Sequence, residues 1–272
     1  MKPEKIQNFF KNKVIVIIGA AGGIGRTLLT ECSKYTDKLV ITGRNIDKLK
    51  SIAKELNISN IIQLDISDIN QIPSAVDEIE QNVGPIDISF NFSGYDVFKK
   101  ISDISSGEII NTCRINFEGP MFYTQYLIKK YMTREKGIIA NVNAFSNGLV
   151  PFPFYSIDSA SRAGVANYFR ALRRELHVDY PDIRLISFSP PITDTATERS
   201  RISSRVWELE KMKFHSPESV VLKIMKGIVN NKNEIMNLDE KLLQIAEQIS
   251  PKISDLTFFN KFIRLSKKIL SK

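Results

Sequence analysis

The residues best placed to do chemistry begin with a glycine-rich turn near the start of the chain. Gly19, Gly23 and Gly25 follow an apolar run at 14–18 and precede a segment with helical periodicity. Glycines in such a turn let the backbone approach a pyrophosphate closely, and the N–H groups that open the following helix attract its negative charge. The turn, with Ile24 at the start of the helix, therefore predicts a dinucleotide-binding site.

A second candidate residue, Arg44, follows the second predicted strand and bears on which dinucleotide is bound. A site for NAD has an acidic residue at this place, which binds the ribose hydroxyls. Such a carboxylate would repel a 2′-phosphate, whereas a guanidinium can bind one through two parallel charge-assisted hydrogen bonds. The prediction is therefore NADP(H), and a solvated surface charge is the alternative for this arginine.

These residues need a scaffold, and the hydrophobic pattern predicts an α/β one. Short apolar runs, several of them apolar throughout, alternate with longer segments of helical period, as in a parallel sheet covered by helices on both faces. The predicted strands are 14–18, 39–42, 61–64, 86–90, 138–142, 183–188 and 234–236. The predicted helices are about 24–35, 46–56, 69–82, 106–133, 159–177 and 217–230. We therefore predict a single doubly wound Rossmann-like domain over residues 1–250, with about seven mostly parallel strands.

Motifs along about residues 12–237 resemble those of the short-chain dehydrogenase/reductase family. The Gly19-x-x-x-Gly23-x-Gly25 spacing resembles the family's phosphate turn, and Asp65-Ile66 its pair that flanks adenine. Asn91-Phe92-Ser93-Gly94 stands where the family has Asn-Asn-Ala-Gly, and 190–195 resembles its Pro-Gly-x-x-x-Thr segment beside the nicotinamide. The cofactor-binding residues that the resemblance implies are Asp65, Ile66, Asn91, Ser93, Gly94, Arg162, Pro190, Ile192 and Thr195.

The resemblance also implies a catalytic group of Asn, Ser, Tyr and Lys, from which this chain departs. Asn116 matches the asparagine that holds a relay water. Ala144 stands at the place of the serine, Asp158 at that of the proton-passing tyrosine, and Arg162 at that of the lysine that binds the nicotinamide ribose. Tyr155 is a nearby phenol, but no lysine follows it at the fourth position.

Three interpretations of Asp158 and Arg162 remain open at this stage. An aspartate has a pKa near ~3.9, and a nearby cation lowers it by about 1 to 3 units, so Asp158 would seldom carry a proton at pH 7. The pair could be an exposed i,i+4 salt bridge at a helix start, in a catalytically inactive cofactor-binding or interaction protein. It could belong to an oxidoreductase in which Tyr155, the substrate or water supplies the proton. Alternatively, burial could raise the pKa of Asp158 enough for a non-redox acid/base reaction.

Composition and charge exclude several other classes of protein. The 272 residues are 43 % hydrophobic and 25 % charged, which is ordinary globular usage. The net charge of +8 does not indicate a nucleic-acid partner, because six basic residues and one acidic residue lie in 251–272 and no basic motif is interleaved with aromatics. No apolar run approaches the ~20 residues that span a bilayer, and no signal-peptide pattern is present, so we predict a cytoplasmic protein. Two lone cysteines and the isolated His177 and His215 predict no disulfide and no metal site.

Two segments depart from the strand–helix alternation. Residues 193–214, with basic side chains around Trp207, are predicted to form a substrate lid. Residues 251–272 are predicted to form a basic amphipathic helix, not a separate domain, with an apolar arc between Leu256 and Leu270. We expect it to dock on the body of the chain or on a partner subunit, with peripheral binding to anionic lipid as the less favoured alternative.

Two expectations concern partners. The aromatic residues of loop 145–155 favour a pocket for a small, partly apolar substrate, although core packing explains many of them equally well. The family resemblance implies a homodimer or homotetramer that pairs through the helices at 106–133 and 159–177.

Overall fold

The computed structural model describes residues 3–143, 145–201 and 214–270, which form one seven-stranded sheet covered by helices. The strands are β1 (Ile15–Ile18), β2 (Leu39–Gly43), β3 (Asn60–Gln63), β4 (Ile88–Asn91), β5 (Lys136–Val142), β6 (Asp182–Phe188) and β7 (Glu234–Ile235). Each lies within two residues of a predicted strand. The predicted single α/β domain is confirmed.

The strand order places the crevice of the sheet beside β1. The order is β3-β2-β1-β4-β5-β6-β7, and every neighbouring pair is parallel. Since β2 flanks β1 on one side and β4 on the other, the connections reverse direction there, and such sheets bind ligands outside the carboxyl ends of the strands at this point. Ile18, Asn91 and Asn141 are register partners at that edge.

A core layer lies on each face of the sheet, because successive side chains of a strand point to opposite faces. Ile15 and Ile17 of β1 belong to one layer, and Val16 and Ile18 belong to the other. All four side chains are at most 1 % exposed. This burial on both faces explains why the strand segments are apolar throughout.

The helices cover both faces and end in a C-terminal extension. They are α1 (Pro3–Phe10), α2 (Gly23–Cys32), α3 (Ile46–Leu56), α4 (Gln71–Asn82), α5 (Ser106–Cys113), α6 (Gly119–Met132), α7 (Ser156–Leu176), α8 (Ala196–Arg201), α9 (Pro217–Val229), α10 (Leu238–Ile249), α11 (Pro251–Ser254) and α12 (Asn260–Leu270). Two π-helical segments, Arg114–Glu118 and Asp255–Phe259, join α5 to α6 and α11 to α12. We refer to α11, the second π segment and α12 together as the C-terminal helix.

Besides α8, which lies in the segment predicted as a lid, two helices that the pattern does not predict are α1 and α10. The sequence pattern does not predict α10 because polar side chains of this helix face the core and apolar side chains face solvent. Glu240 and Gln244 are buried at 0 % and 9 % exposure, whereas Leu242 and Ile245 are more than half exposed. A helix with its apolar stripe on the outside does not match the pattern of a helix that packs on a core.

The C-terminal helix packs on the chain itself through aromatic rings. The ring of Phe152 lies 5.6, 5.3 and 5.2 Å from those of Phe258, Phe259 and Phe262. The predicted apolar arc needs one correction, since Leu256 is 77 % exposed while Phe259 is 3 % exposed. Both residues lie in the π segment, where each turn contains more residues than a turn of α-helix. The side chains therefore occupy other faces than a regular α-helix would give them.

Two kinds of feature are absent from the described ranges. None of their helices is both long enough and apolar enough to cross a bilayer. They also contain no group of three or more histidine, cysteine or acidic residues that could hold a metal ion. Ala144 and most of the predicted lid, residues 202–213 with Trp207, lie outside the described residues.

Candidate active site

The glycine turn after β1 has the geometry of a phosphate-binding turn. Gly19 has φ +77°, a left-handed conformation, and a Cβ there would lie 2.8 Å from the carbonyl carbon of Phe92. A Cβ at Gly25 would lie 2.6 Å from the carbonyl oxygen of Gly19. Gly22, the N-cap of α2, gives no side-chain hydrogen bond to the helix start, so the first N–H groups remain for an anion. Ile24, in the first turn of α2, packs against the core and fixes the helix there.

The segment after β6 lies directly against this turn. A Cβ at Gly23 would lie 2.5 Å from Cγ2 of Thr195, so only glycine allows this approach. The hydroxyl of Thr195 accepts a hydrogen bond of 3.2 Å from the N–H of Glu198 in α8. Pro190 is half-buried, and Ile192 is 38 % exposed. Gly23 and Thr195, which are far apart in the sequence, are thus brought together at the carboxyl edge of the sheet.

Arg44 and Asp65 line one polar cavity at the carboxyl ends of β2 and β3. Its volume is about 480 Å³, and its lining residues are Arg44, Gln63, Asp65, Gln71, Ser74, Ala75 and Glu78. The carboxylate of Asp65 accepts hydrogen bonds from the N–H and hydroxyl of Ser67, at 3.0 and 2.6 Å, which fixes the turn after β3. Ile66, 4 % exposed, closes the inner side of that turn. The Arg44 side chain is exposed and available to a ligand.

A chain of side-chain amides holds the turn after β4. Asn91 Nδ2 donates to Asn141 Oδ1 at 2.8 Å, and Asn91 Oδ1 accepts from the N–H and hydroxyl of Ser93 at 2.9 and 2.5 Å. Beyond it, a Cβ at Gly94 would lie 2.4 Å from Nη2 of Arg162. Because Gly94 has no side chain, the guanidinium of Arg162 can lie against the turn after β4.

Asn116, Asp158 and Arg162 form one buried group beside this turn. They are 2 %, 6 % and 6 % exposed. Asp158 Oδ1 accepts from Arg162 Nε at 2.8 Å and from Asn116 Nδ2 at 3.0 Å. Asn116 also pairs with the backbone of Tyr95, accepting from its N–H and donating to its carbonyl at 2.9 Å each. Asn116 therefore holds the carboxylate of Asp158 and the loop after β4 in one geometry.

The Arg162 guanidinium makes two further contacts, one of them to a residue that the sequence patterns did not single out. Its Nη1 donates to the carbonyl of Val142 at 3.1 Å, and its Nη2 donates to Asp96 Oδ1 at 3.0 Å. Asp96 precedes Arg162 by 66 positions. No spacing rule connects the two residues, since Asp96 lies in the loop after β4 and Arg162 lies in α7.

Burial sets the charge behaviour of Asp158, for which the sequence left three interpretations open. The expectation of an exposed salt bridge is wrong, because the side chains of Asp158 and Arg162 are only 9 % and 8 % exposed. Desolvation raises the pKa of Asp158 to about 6, Arg162 opposes this rise, and the nearby Asp96 adds to it. Although burial disfavours the charged form of Arg162, its two carboxylate partners raise its pKa further and keep it charged.

Tyr155, the sequence-based candidate for a proton donor, lies at the N-cap of α7. Its ring stacks on that of Phe98 at 4.7 Å, and Phe98 also meets Phe154 edge-on at 6.1 Å. The residue is half-buried, and its carbonyl accepts from the N–H of Ser159 at 2.9 Å. The structure thus holds the Tyr155 ring in an aromatic stack within one turn of Asp158.

Two buried asparagines, Asn143 and Asn147, follow the end of β5. Asn143 Nδ2 and both side-chain polar atoms of Asn147 are buried and have no hydrogen-bond partner among the described residues. Asn143 Oδ1 accepts from Asn141 Nδ2 at 2.9 Å, so its remaining donor is held in a fixed position. Buried donors of this kind are usually paired, so a ligand or water has polar partners here.

Comparison with known proteins places the whole architecture in context. The sequence model of a family described as short chain dehydrogenase matches residues 13–205. A mouse protein named dehydrogenase/reductase SDR family member 7B is 27 % identical over 248 residues, covering 85 % of this chain and 75 % of the mouse protein.

Solved structures show the same fold. Actinorhodin polyketide ketoreductase with NADPH superposes with a TM-score of 0.74 at 19 % identity, covering 85 % of this chain and 96 % of that one. A short chain dehydrogenase from Bacillus anthracis gives 0.73 at 22 % identity, covering 84 % and 94 %.

Proposed function

Since this chain belongs to the short-chain dehydrogenase family, we propose that it is an NADP(H)-dependent oxidoreductase in which Asp158 is the proton donor for carbonyl reduction. The single observation that carries this proposal is the buried carboxyl of Asp158, held by Asn116 and Arg162 at the carboxyl edge of the sheet. The proposal assigns Asp158 and Arg162 to the places of the family's tyrosine and lysine. A cytoplasmic location and a homodimer or homotetramer remain predictions.

The residues present fit NADP(H). The turn of Gly19, Gly23 and Gly25 leaves no room for side chains, and the uncapped start of α2 would hold the pyrophosphate. Arg44 would bind the 2′-phosphate from the cavity that it shares with Asp65. NADP(H), when bound, supplies a hydride to the substrate carbon or accepts one from it. The related ketoreductase fold with NADPH supports this choice of cofactor.

Asp158 can supply the proton because burial keeps part of its population neutral. With a pKa raised to about 6, about a tenth of the carboxyl groups hold a proton at pH 7, and about half do so at pH 6. The proton passes to the substrate oxygen as that oxygen gains negative charge. The carboxylate left behind is stabilised by donors already in place on Arg162 and Asn116, and solvent then returns the proton.

The proposed substrate is a small, partly apolar carbonyl compound. Two of the four rings of the loop at 145–155 pack elsewhere, since Phe145 and Phe152 contact the C-terminal helix. The stacked rings of Phe98 and Tyr155 remain next to the start of α7 and offer an apolar wall near Asp158.

The test compares Asp158→Asn with Tyr155→Phe. NADPH oxidation is measured with a panel of aldehydes and ketones at pH 6.0 and 7.5, and NADPH binding is measured by fluorescence titration. We expect Asp158→Asn to lose roughly 100-fold or more in turnover, the usual worth of general acid catalysis, with Kd changed less than about threefold. Tyr155→Phe should keep its turnover within about threefold.

Two results would contradict the proposal. One is a loss of turnover in Tyr155→Phe alone, which would make the phenol the donor. The other is tight NADPH binding by the unaltered protein without turnover of any carbonyl compound, which would indicate a cofactor-binding protein.

A further inference from the structure

A second carboxyl group lies across the guanidinium from Asp158. Asp96 Oδ1 is 3.0 Å from Arg162 Nη2, and Asp158 Oδ1 is 2.8 Å from Arg162 Nε. Asp96 comes from the loop after β4, whereas the other two residues lie on α7. The Asp96 side chain is 25 % exposed, so it is the carboxyl nearer to water.

The charges of this group do not balance when both carboxyls are ionised. Arg162 is the charged group on α7 that faces Asp158, and Asp96 is the charged group that faces it from the loop after β4. Asn116, from the π segment between α5 and α6, contributes a neutral amide. Two carboxylates and one guanidinium leave one negative charge in a site that is largely closed to solvent, which is unfavourable. Binding one proton removes that charge.

Resting on the function proposed above, we propose that Asp96 is a positioning residue that shares one proton with Asp158 across Arg162 and sets the pH at which the site can donate it. Two carboxyls in one site cannot both ionise readily, so their protons leave in two steps that belong to the pair. Asp96 also fixes the guanidinium, since its hydrogen bond holds Nη2 over Gly94. It acts on the proton through charge and through the placement of Arg162, without needing to touch the substrate.

The experiment follows the carboxyl groups directly. Protein labelled with ¹³C at aspartate carboxyls is titrated by NMR from pH 4 to pH 8, and the signal lost in Asp158→Asn identifies that residue. Asp96→Asn should move the Asp158 midpoint about one pH unit lower, because a nearby negative charge is removed. Asp96→Glu, which restores the charge, should return the midpoint toward that of the unaltered protein. Asp103→Asn, on an exposed 3₁₀ turn in the same loop region, is the matched control and should leave it unchanged.

An Asp158 midpoint that does not move in Asp96→Asn would overturn the inference. If Asp96→Asn fails to fold, the titration of Asp96→Glu decides. An Asp158 midpoint near that of a free aspartate in Asp96→Glu contradicts shared proton binding. The titration needs no turnover. A shifted midpoint in a protein that reduces no carbonyl compound would refute only the proposed function.

Discussion

Asp158 should stabilise the protein less as the pH rises from about 4 to 7. Its ordinary pKa of 3.8 becomes about 6 in the folded chain, chiefly through burial. The folded state therefore keeps the Asp158 proton over a pH range in which the unfolded chain has lost it. The stabilisation is complete below the unfolded pKa and is lost as the pH passes the folded one. A difference of about two pKa units corresponds to about 3 kcal/mol, at about 1.4 kcal/mol per unit.

Urea unfolding of the unaltered protein and of Asp158→Asn at pH 4, 5, 6 and 7 measures this difference. Asparagine does not titrate, so the gap in unfolding free energy between the two proteins should change by about 2 kcal/mol in favour of the variant as the pH rises from 4 to 7. Asp103→Asn, an exposed aspartate, is the matched control and should follow the unaltered protein within about 0.5 kcal/mol. A gap between the unaltered protein and Asp158→Asn that stays constant across this range would refute the assignment of a raised pKa to the buried carboxyl.

Three further variants test the cofactor end of the site and the C-terminal helix. Arg44→Ala should weaken NADPH binding by roughly 10- to 100-fold, the worth of hydrogen bonds to a charged group, and leave NADH binding nearly unchanged in calorimetric titrations. Equal losses for both nucleotides would show that this guanidinium does not bind the 2′-phosphate. Gly23→Ala should weaken NADPH binding more than Gly22→Ala, because the added Cβ meets an atom at 2.5 Å in the first and at 3.4 Å in the second. Phe152→Ala should lower the unfolding free energy by about 3 kcal/mol, against less than about 1 kcal/mol for the exposed Phe122→Ala, and similar values for the two would contradict the aromatic packing.

The sheet could be predicted from sequence because each strand's burial is visible in its own residues. The run Ile15–Ile18 is buried on both faces, so its composition records its environment directly. The position of the phosphate turn follows for the same reason, since the glycines and the strand before them are adjacent in the chain. Element α10 could not be predicted, because Glu240 and Gln244 face inward and the local pattern contradicts the tertiary contacts.

The chemistry of the Asp158–Arg162 pair was predictable only where its contacts are local. Asp158 and Arg162 are four residues apart, and their hydrogen bond is as the spacing suggests. Their burial depends on residues that are distant in the chain. Asn116 lies 42 positions before Asp158, and Asp96 lies 66 positions before Arg162. A sequence pattern therefore gives the right pair but leaves its protonation behaviour open, since long-range packing determines the pKa.

The geometry of Arg162 explains why the residues of this site belong together. Its Nε, Nη1 and Nη2 donate to Asp158, to the carbonyl of Val142 and to Asp96, in three directions set by one planar group. A lysine ammonium is a single point of charge and could not span acceptors on α7, β5 and the loop after β4 at once. The carboxyl at 158 and the arginine at 162 consequently depend on each other, and Asp96 binds the same guanidinium. A lysine at 162 alone would leave Asp96 without its guanidinium partner and would remove one donor from the Val142 carbonyl, which also accepts from Asn141 Nδ2 at 2.8 Å.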